Sequence, residues 1–206
     1  ARLHEGALLA RVRDRVCYNT LGVESVANLE GLFAPETYAF TRRIAPDDLL
    51  VRAHERLCTQ LQSLWQAHPN MFANAYEALI LASIIEKETA RDEDRSNVSQ
   101  VFHNRLQRNM RLQTDPTVIY ALGESFDGDI RRRDLQVDSP YNTYRVKGLP
   151  PTPIASVSLA SLQAAFQPSD GTLLYFVARG DGTTQFSTTL EEHNAAVRRF
   201  QLGQSG

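Results

Sequence analysis

Apolar and polar positions alternate along the chain with two different periods. From residue 45 onward the helical period dominates. Pro46 and Asp47 can open a helix in which Leu50, Ala53, Leu57, Leu61, Leu64 and Trp65 recur at three- and four-residue spacing, and His68-Pro69-Asn70 should close it. A second, unusually apolar helix is predicted over about residues 74–89. A third follows a charged link at 91–95, with Val98, Val101, Phe102, Leu106 and Met110 forming one stripe. Asp115-Pro116 reads as a helix start, the carboxylate capping free N–H groups and proline taking the first helical position, and Gly123 can end that short helix.

Residues 126–154 are polar and proline-rich, a long irregular stretch of the kind that walls or covers functional sites. Residues 158–166 read as another helix, closed by Pro168, and then the period shifts to two. Residues 173–178 (LLYFVA) and 183–188 (TTQFST) are β-rich runs flanking Arg179-Gly180-Asp181-Gly182, a hairpin signal whose turn chemistry explains its RGD tripeptide without adhesion. Thr189 and Glu192 make a capping box for a last helix through Phe200. The fold class is therefore α+β, mainly helical with a small antiparallel hairpin or sheet. Residues 1–28 are a weakly patterned N-terminal segment whose mixed-charge run at 11–15 suits a solvated helix face; residues 29–206 form the patterned domain.

Composition narrows the function classes. The 206 residues are 42% hydrophobic and 22% charged, which suits a folded globular chain and not a disordered tail. Lys and Arg number 22 against 24 Asp and Glu, for a net charge of −2. That balance gives no reason to expect nucleic acid, and the Arg131-Arg132-Arg133 run is flanked by Asp127, Asp129 and Asp134, so it reads as solvated. No apolar run approaches the roughly 18–20 residues of a membrane span. The chain begins at Ala1 and not Met, as expected of a fragment or mature form, so any anchor would lie outside it. Two cysteines, Cys17 and Cys58, lie far apart, and two semi-buried thiols are favoured over a disulfide. The five histidines are scattered, with no HExxH pattern, so no metal site and no cofactor is expected.

The informative chemistry lies in Ala82-Ser83-Ile84-Ile85-Glu86-Lys87-Glu88-Thr89. At about 100° per residue, Ile80, Leu81, Ile84 and Ile85 span one arc; Glu88 projects into its middle, while Glu86 falls on another face. A carboxyl on an apolar arc loses hydration and stays protonated, the property a general acid needs for glycosidic cleavage. The same spacing also fits a helix-end carboxylate that reaches back to solvent. Gln113, Thr114 and Asp115 offer polar groups suited to sugar hydroxyls or acetamido groups, and equally form a capped helix start. Tyr141, Asn142 and Tyr144 place two aromatics and an amide in the irregular segment, where stacking on sugar C–H faces and bonding to an N-acetyl group are possible, although a simple Pro-Tyr-Asn turn would look the same.

Taken in chain order, these segments resemble the MltG (YceG-like) family of endolytic murein transglycosylases. The matching motifs are Leu29-Glu30-Gly31-Leu32-Phe33-Ala34-Pro35-Glu36-Thr37-Tyr38, the 82–89 segment, Val101-Phe102-His103-Asn104-Arg105-Leu106, residues 110–120, 141–144, 148–151 and 174–178, and Glu192-His193-Asn194. The resemblance implies that the second acid of the EKET motif, Glu88, is catalytic, with Gln113, Tyr141, Asn142 and Tyr144 as candidates for holding sugar and Asp115 as a structural residue. It implies peptidoglycan glycan strands as substrate, peptidoglycan synthases as partners and no cofactor. The location it implies is the periplasmic face of the inner membrane, through a single span and a small LysM-like domain absent from this chain. Thr152, the 155–158 segment and Thr184 depart from the family pattern, which affects loop shape and secondary sugar contacts but not the acid. A muramidase using Asp115 as second carboxylate and a non-catalytic glycan-binding module are the alternatives.

Overall fold

The computed structural model describes residues 17–40 and 45–203; the mixed-charge run at 11–15 lies outside them. The helices are α1 (Tyr18–Leu21), α2 (Pro46–Ala67), α3 (Ala75–Glu88), α4 (Asp92–Gln107), α5 (Asp115–Leu122), α6 (Leu159–Phe166) and α7 (Leu190–Phe200), with 3-10 turns at Gly123–Ser125 and Asp134–Gln136. β1 (Tyr175–Ala178) and β2 (Thr184–Ser187) pair antiparallel, with Phe176 opposite Phe186. The mainly helical α+β class expected from the sequence is the one observed. The chain divides into two compact units, Ala1–Glu86 with Pro151–Phe166, and Lys87–Pro150 with Gln167–Gly206. The division falls in the last turn of α3, so Glu86 belongs to the first unit and Glu88 to the second.

In the first unit, the apolar stripe of α2 supplies Ala53, Leu57 and Leu61 to the core, all buried. Phe166 at the end of α6 collects Trp65, Phe72 and His68 around its ring at centroid distances of 6.4, 5.6 and 6.2 Å. α3 is apolar on nearly every face: residues 78–82, 84 and 85 are each at most 4% exposed, so burial of this helix is all-round, wider than the single arc that the spacing suggested. Ser83 is also buried, and its hydroxyl receives the Ile154 N–H at 3.0 Å, pinning the 151–158 segment. Gly31 fits against this segment because a Cβ there would stand 2.4 Å from Pro153 Cβ, and its φ of +76° suits only glycine without strain.

Cys17 and Cys58 are joined in a disulfide with Cα atoms 6.1 Å apart, which corrects the expectation of two free thiols. A separation of 41 residues along the chain hides their proximity, which arises because α2 carries Cys58 back to the start of α1. His54, one turn before Cys58 on α2, is fully buried beside the bridge. Its Nδ1 lies 2.8 Å from the Leu32 carbonyl and therefore carries the proton; Nε2 accepts the Cys17 N–H at 3.3 Å and lies 3.3 Å from Cys58 Sγ.

In the second unit, α4 begins at Asp92, inside the segment read as a charged link. Asp94 and Arg95 are buried despite their charge, and Asp94 accepts the Thr184 hydroxyl at 2.8 Å from the hairpin. A local pattern cannot show that partner. Phe102 of α4 packs edge-on against Phe176 of β1 at 6.0 Å, and Asn104 donates to the Leu173 carbonyl at 2.9 Å, which holds the hairpin to the helix. α7 starts at the expected capping box: Thr189 accepts the Glu192 N–H, and the Glu192 carboxylate accepts the Thr189 N–H at 3.1 Å. Asp115 opens α5 as its first residue and does not cap it, since Thr114 occupies the capping position and Asp115 is bonded elsewhere.

Candidate functional site

The second unit holds a cleft of about 620 Å³. Glu88 enters it from the end of α3, Arg105 from α4, Gln113 and Asp115 from the start of α5, Tyr144 from the irregular segment, Tyr175 from β1 and His193 from α7. These residues come from six helices, strands and loops spread along the sequence, so the constellation is a product of the tertiary fold.

Glu88 has its carboxyl raised above the usual carboxylate range. Burial is the main cause, and the negative charge of Asp115 adds to it; the hydroxyl of Thr114, donated to Glu88 Oε2, and the charge of Arg105 pull the other way. Burial wins because an ionised carboxylate loses more hydration than one hydroxyl returns. Thr114 is itself fixed: its N–H bonds Thr143 Oγ1 at 3.1 Å, its carbonyl accepts the Thr117 hydroxyl at 2.7 Å, and the Thr117 and Thr143 hydroxyls meet at 2.8 Å. This buried run of threonines gives the Glu88 carboxyl a defined orientation.

Glu86, two residues earlier, does something else. Its Oε2 accepts both the N–H of Ser158 at 3.1 Å and its hydroxyl at 2.5 Å, directly before α6. It fastens a helix start in the first unit and lines no part of the cleft.

Asp115 accepts the Tyr144 hydroxyl at 2.5 Å, and the phenol is pushed well above its ordinary pKa by burial and by this acidic neighbour. Arg105, only 7% exposed, donates from Nε to the Leu174 carbonyl at 2.7 Å and from Nη1 to the Leu112 carbonyl at 2.6 Å, with its guanidinium 5.3 Å from the Tyr175 ring centre. Burial lowers its pKa, but a guanidinium stays charged at any ordinary pH. His193 stacks on Tyr175 at 5.2 Å; burial, and then the charge of Arg105, push its pKa down, so its ring is neutral at neutral pH. The arrangement combines one acid whose proton is held more tightly than that of an exposed carboxyl, a fixed cation and two aromatic surfaces, which suits proton transfer to a bound ligand.

The chain is similar to known proteins over most of its length. The model of the YceG-like family matches residues 2–199, nearly the whole chain. The chain belongs to the YceG-like family. It is 39% identical over 176 residues to an endolytic murein transglycosylase of Bacillus subtilis, covering 84% of this chain and 48% of that protein. An endolytic murein transglycosylase of Streptococcus pneumoniae is 32% identical over 82% of this chain and 32% of its own length. A crystal structure of a YceG-like protein from Listeria monocytogenes superposes with a TM-score of 0.77 at 36% identity, covering 92% of this chain and 62% of that one. The chain thus spans about half the length of the Bacillus relative and a third of the Streptococcus one.

In this YceG-like chain, three of the five residues singled out from the sequence, Glu88, Gln113 and Tyr144, line the cleft. Gln113 is exposed there and adopts a φ of +51°, a left-handed conformation uncommon outside glycine, held by its N–H bond to the Thr143 carbonyl at 3.2 Å. Tyr141 does not line it; its ring lies against Tyr120 at 4.8 Å. Asn142 does not line it either: it is fully buried, donates to the carbonyls of Leu135 and Val137 at 3.1 and 2.8 Å and accepts the Tyr144 N–H at 3.0 Å, so its amide shapes the loop. Arg105 and His193 were present in the quoted motifs but received no role, because neither has a local pattern that marks it. Among the described residues, the Cys17, His54 and Cys58 trio is close enough to suggest a metal site, but its two sulfurs are bonded to each other.

Proposed function

We propose that this chain is the catalytic portion of an endolytic peptidoglycan lytic transglycosylase, with residues 29–206 as the catalytic domain and Glu88 as its acid. The observation that carries this reading is a single carboxyl whose pKa is raised by burial at a cleft whose other acid, Asp115, is engaged by Tyr144. The names of the Bacillus and Streptococcus relatives support it.

Glycosidases that use water need a second carboxylate, either to activate the water or to form a covalent intermediate. A transglycosylase needs only one, because the C6 hydroxyl of the substrate is the nucleophile. Glu88 protonates the glycosidic oxygen between MurNAc and GlcNAc as the C1–O bond breaks. The resulting carboxylate then accepts the C6 hydroxyl proton while the C6 oxygen bonds C1, giving a 1,6-anhydro-MurNAc end and returning Glu88 to its protonated state. Thr114 holds the carboxyl in place through both steps, and Gln113 and Tyr144 contact the saccharide. Chain-internal cutting of this kind limits glycan strand length beside the synthases that extend the strands. It operates on the periplasmic face of the inner membrane.

Asp115 lines the same cleft, which keeps the muramidase as the second reading. Mass spectrometry of muropeptides released from purified sacculi separates them. Internal fragments with anhydro termini, each one water lighter than a hydrolytic end, are expected. Reducing MurNAc ends would replace the transglycosylase with the muramidase, and disaccharides released from strand termini would remove the endolytic part.

A further inference from the structure

Arg105 is the one permanent cation among the residues lining the cleft, and it is more than nine-tenths buried. Its Nε and Nη1 are committed to backbone carbonyls, and its Nη2 has no hydrogen-bond partner among the described residues. No carboxylate forms an ion pair with it there, and Glu88, the carboxyl whose charge favours the guanidinium, has its own pKa raised by burial. A buried charge without a counter-charge is costly, and a ligand that supplies an acceptor removes that cost. Beside it, His193 Nδ1 is a second buried polar atom with no partner, on a ring stacked against the Tyr175 that Arg105 covers. Both residues line the cleft that also holds Glu88.

The two sugars of a peptidoglycan strand differ at one place. MurNAc carries a lactyl ether on O3 ending in a carboxyl, free or joined to a peptide, whereas GlcNAc has a hydroxyl. Resting on the reading of the cleft given above, we infer that Arg105, assisted by His193, binds the lactyl carbonyl or carboxylate of MurNAc and so decides which of the two alternating glycosidic bonds is presented to Glu88. The anchored guanidinium offers a fixed N–H edge with little rotamer freedom left to lose, the property that makes arginine selective for such groups.

The test uses the non-cutting E88Q protein and isothermal titration with two glycans free of peptide, (GlcNAc–MurNAc)2 and chitotetraose. E88Q is expected to bind the muramic tetramer about 10- to 100-fold more tightly, the range for one charge-assisted bond. Adding R105M should bring the two affinities within about threefold while chitotetraose binding stays unchanged, and R105K, a point charge without the fork, should keep part of the preference. Equal weakening of both glycans by R105M and R105K, in proteins whose circular dichroism matches E88Q, would make Arg105 merely structural and overturn the inference. So would an E88Q protein that binds both glycans alike. An E88Q protein that binds neither would instead overturn the glycan reading of the cleft itself.

Discussion

His54 and His193 lie in different units and show two opposite ways of treating an imidazole. His54 is fully buried with both ring nitrogens engaged, Nδ1 on the Leu32 carbonyl and Nε2 by the Cys17 N–H, beside a disulfide. His193 stacks on Tyr175 with a buried Nδ1 that has no partner. The two acids of α3 repeat the contrast two residues apart. Glu86 spends one oxygen on both the N–H and the hydroxyl of Ser158, while Glu88 has one hydroxyl from Thr114 and a raised pKa. His54 and Glu86 are engaged by partners of the scaffold, whereas Glu88 and His193 are incompletely paired inside a cleft, where a ligand can complete them. Neither burial nor a missing partner marks the site by itself, since Ser99 and Gln100 are buried with polar atoms unpaired away from it; incomplete pairing of titratable groups in a cleft does.

The largest effect that could break this contrast comes from exchanging each acid for its amide. E88Q keeps size and hydrogen bonding but removes the transferable proton, so cleavage of sacculi should fall by about 10²–10⁴ or more with folding intact. E86Q lies outside the cleft and should retain most of the wild-type rate. Release of anhydro-muropeptides, followed by mass spectrometry after circular dichroism has confirmed folding, measures both. An active E88Q beside a dead E86Q would move the acid by half a helical turn.

Next in size is the disulfide. Closing a loop of 41 residues, it should contribute about 2–4 kcal/mol by restricting the unfolded chain. The C17S/C58S double variant should lose that amount in urea unfolding yet cut at the wild-type rate well below its melting temperature, because the bridge and the cleft belong to different units. Thiol titration of the unfolded, unreduced wild type should find no free thiol; two would remove the bridge.

The contrast also explains which parts were legible in the sequence. α2, α3, the hairpin and the capping box of α7 follow from spacing and turn chemistry within a dozen residues, and they appear where expected. The face of α3 that carries Glu88 was readable because helical periodicity alone separates it from Glu86. What was not readable depends on partners far away in the chain. Cys17 meets Cys58 across 41 residues, Asp94 is buried in the first turn of α4, where its charge suggested a link, with Thr184 of the hairpin as a partner, and Arg105 gains its place from the carbonyls of Leu112 and Leu174. Asn142 shows the same limit from the other side: an amide in a tyrosine-rich loop looks like a sugar contact until its bonds to Leu135, Val137 and Tyr144 are seen.

Removing the Glu86 carboxylate sharpens the contrast at smaller scale. E86A leaves the Ser158 N–H without its acceptor before α6, so stability should fall by about 1–2 kcal/mol, the range for a lost helix cap. E86Q, whose amide oxygen still accepts, should lose less than half as much. Chemical denaturation at neutral pH resolves the pair, and equal losses would mean that this carboxylate fastens nothing.

The smallest effect is the most specific to a buried acid, because it separates Glu88 from every acid of the scaffold by its dependence on pH. The pKa of Glu88 is raised on folding, so between its unfolded and folded values the native state holds more protons than the unfolded chain. Stability must therefore fall as pH rises through that window. Below the ordinary carboxylate range Glu88 is neutral in both states and its burial costs nothing extra; above its folded pKa the full cost of burying the charge is present. E88Q is neutral at every pH and escapes this loss. Its melting temperature relative to wild type should therefore climb by a few degrees from pH 4 to pH 8, on top of whatever constant offset the amide introduces at Thr114. A scaffold acid such as Glu192, whose pKa is lowered by the N–H groups of Thr188 and Thr189, should behave in the opposite sense: E192Q should lose stability relative to wild type as pH rises through the carboxylate range. Calorimetric melts of the three proteins at pH 4, 6 and 8 test both signs. A Glu88 difference that stays flat across that range would mean that the carboxyl titrates like an exposed one, and the protonated acid on which the transglycosylase step depends would be lost.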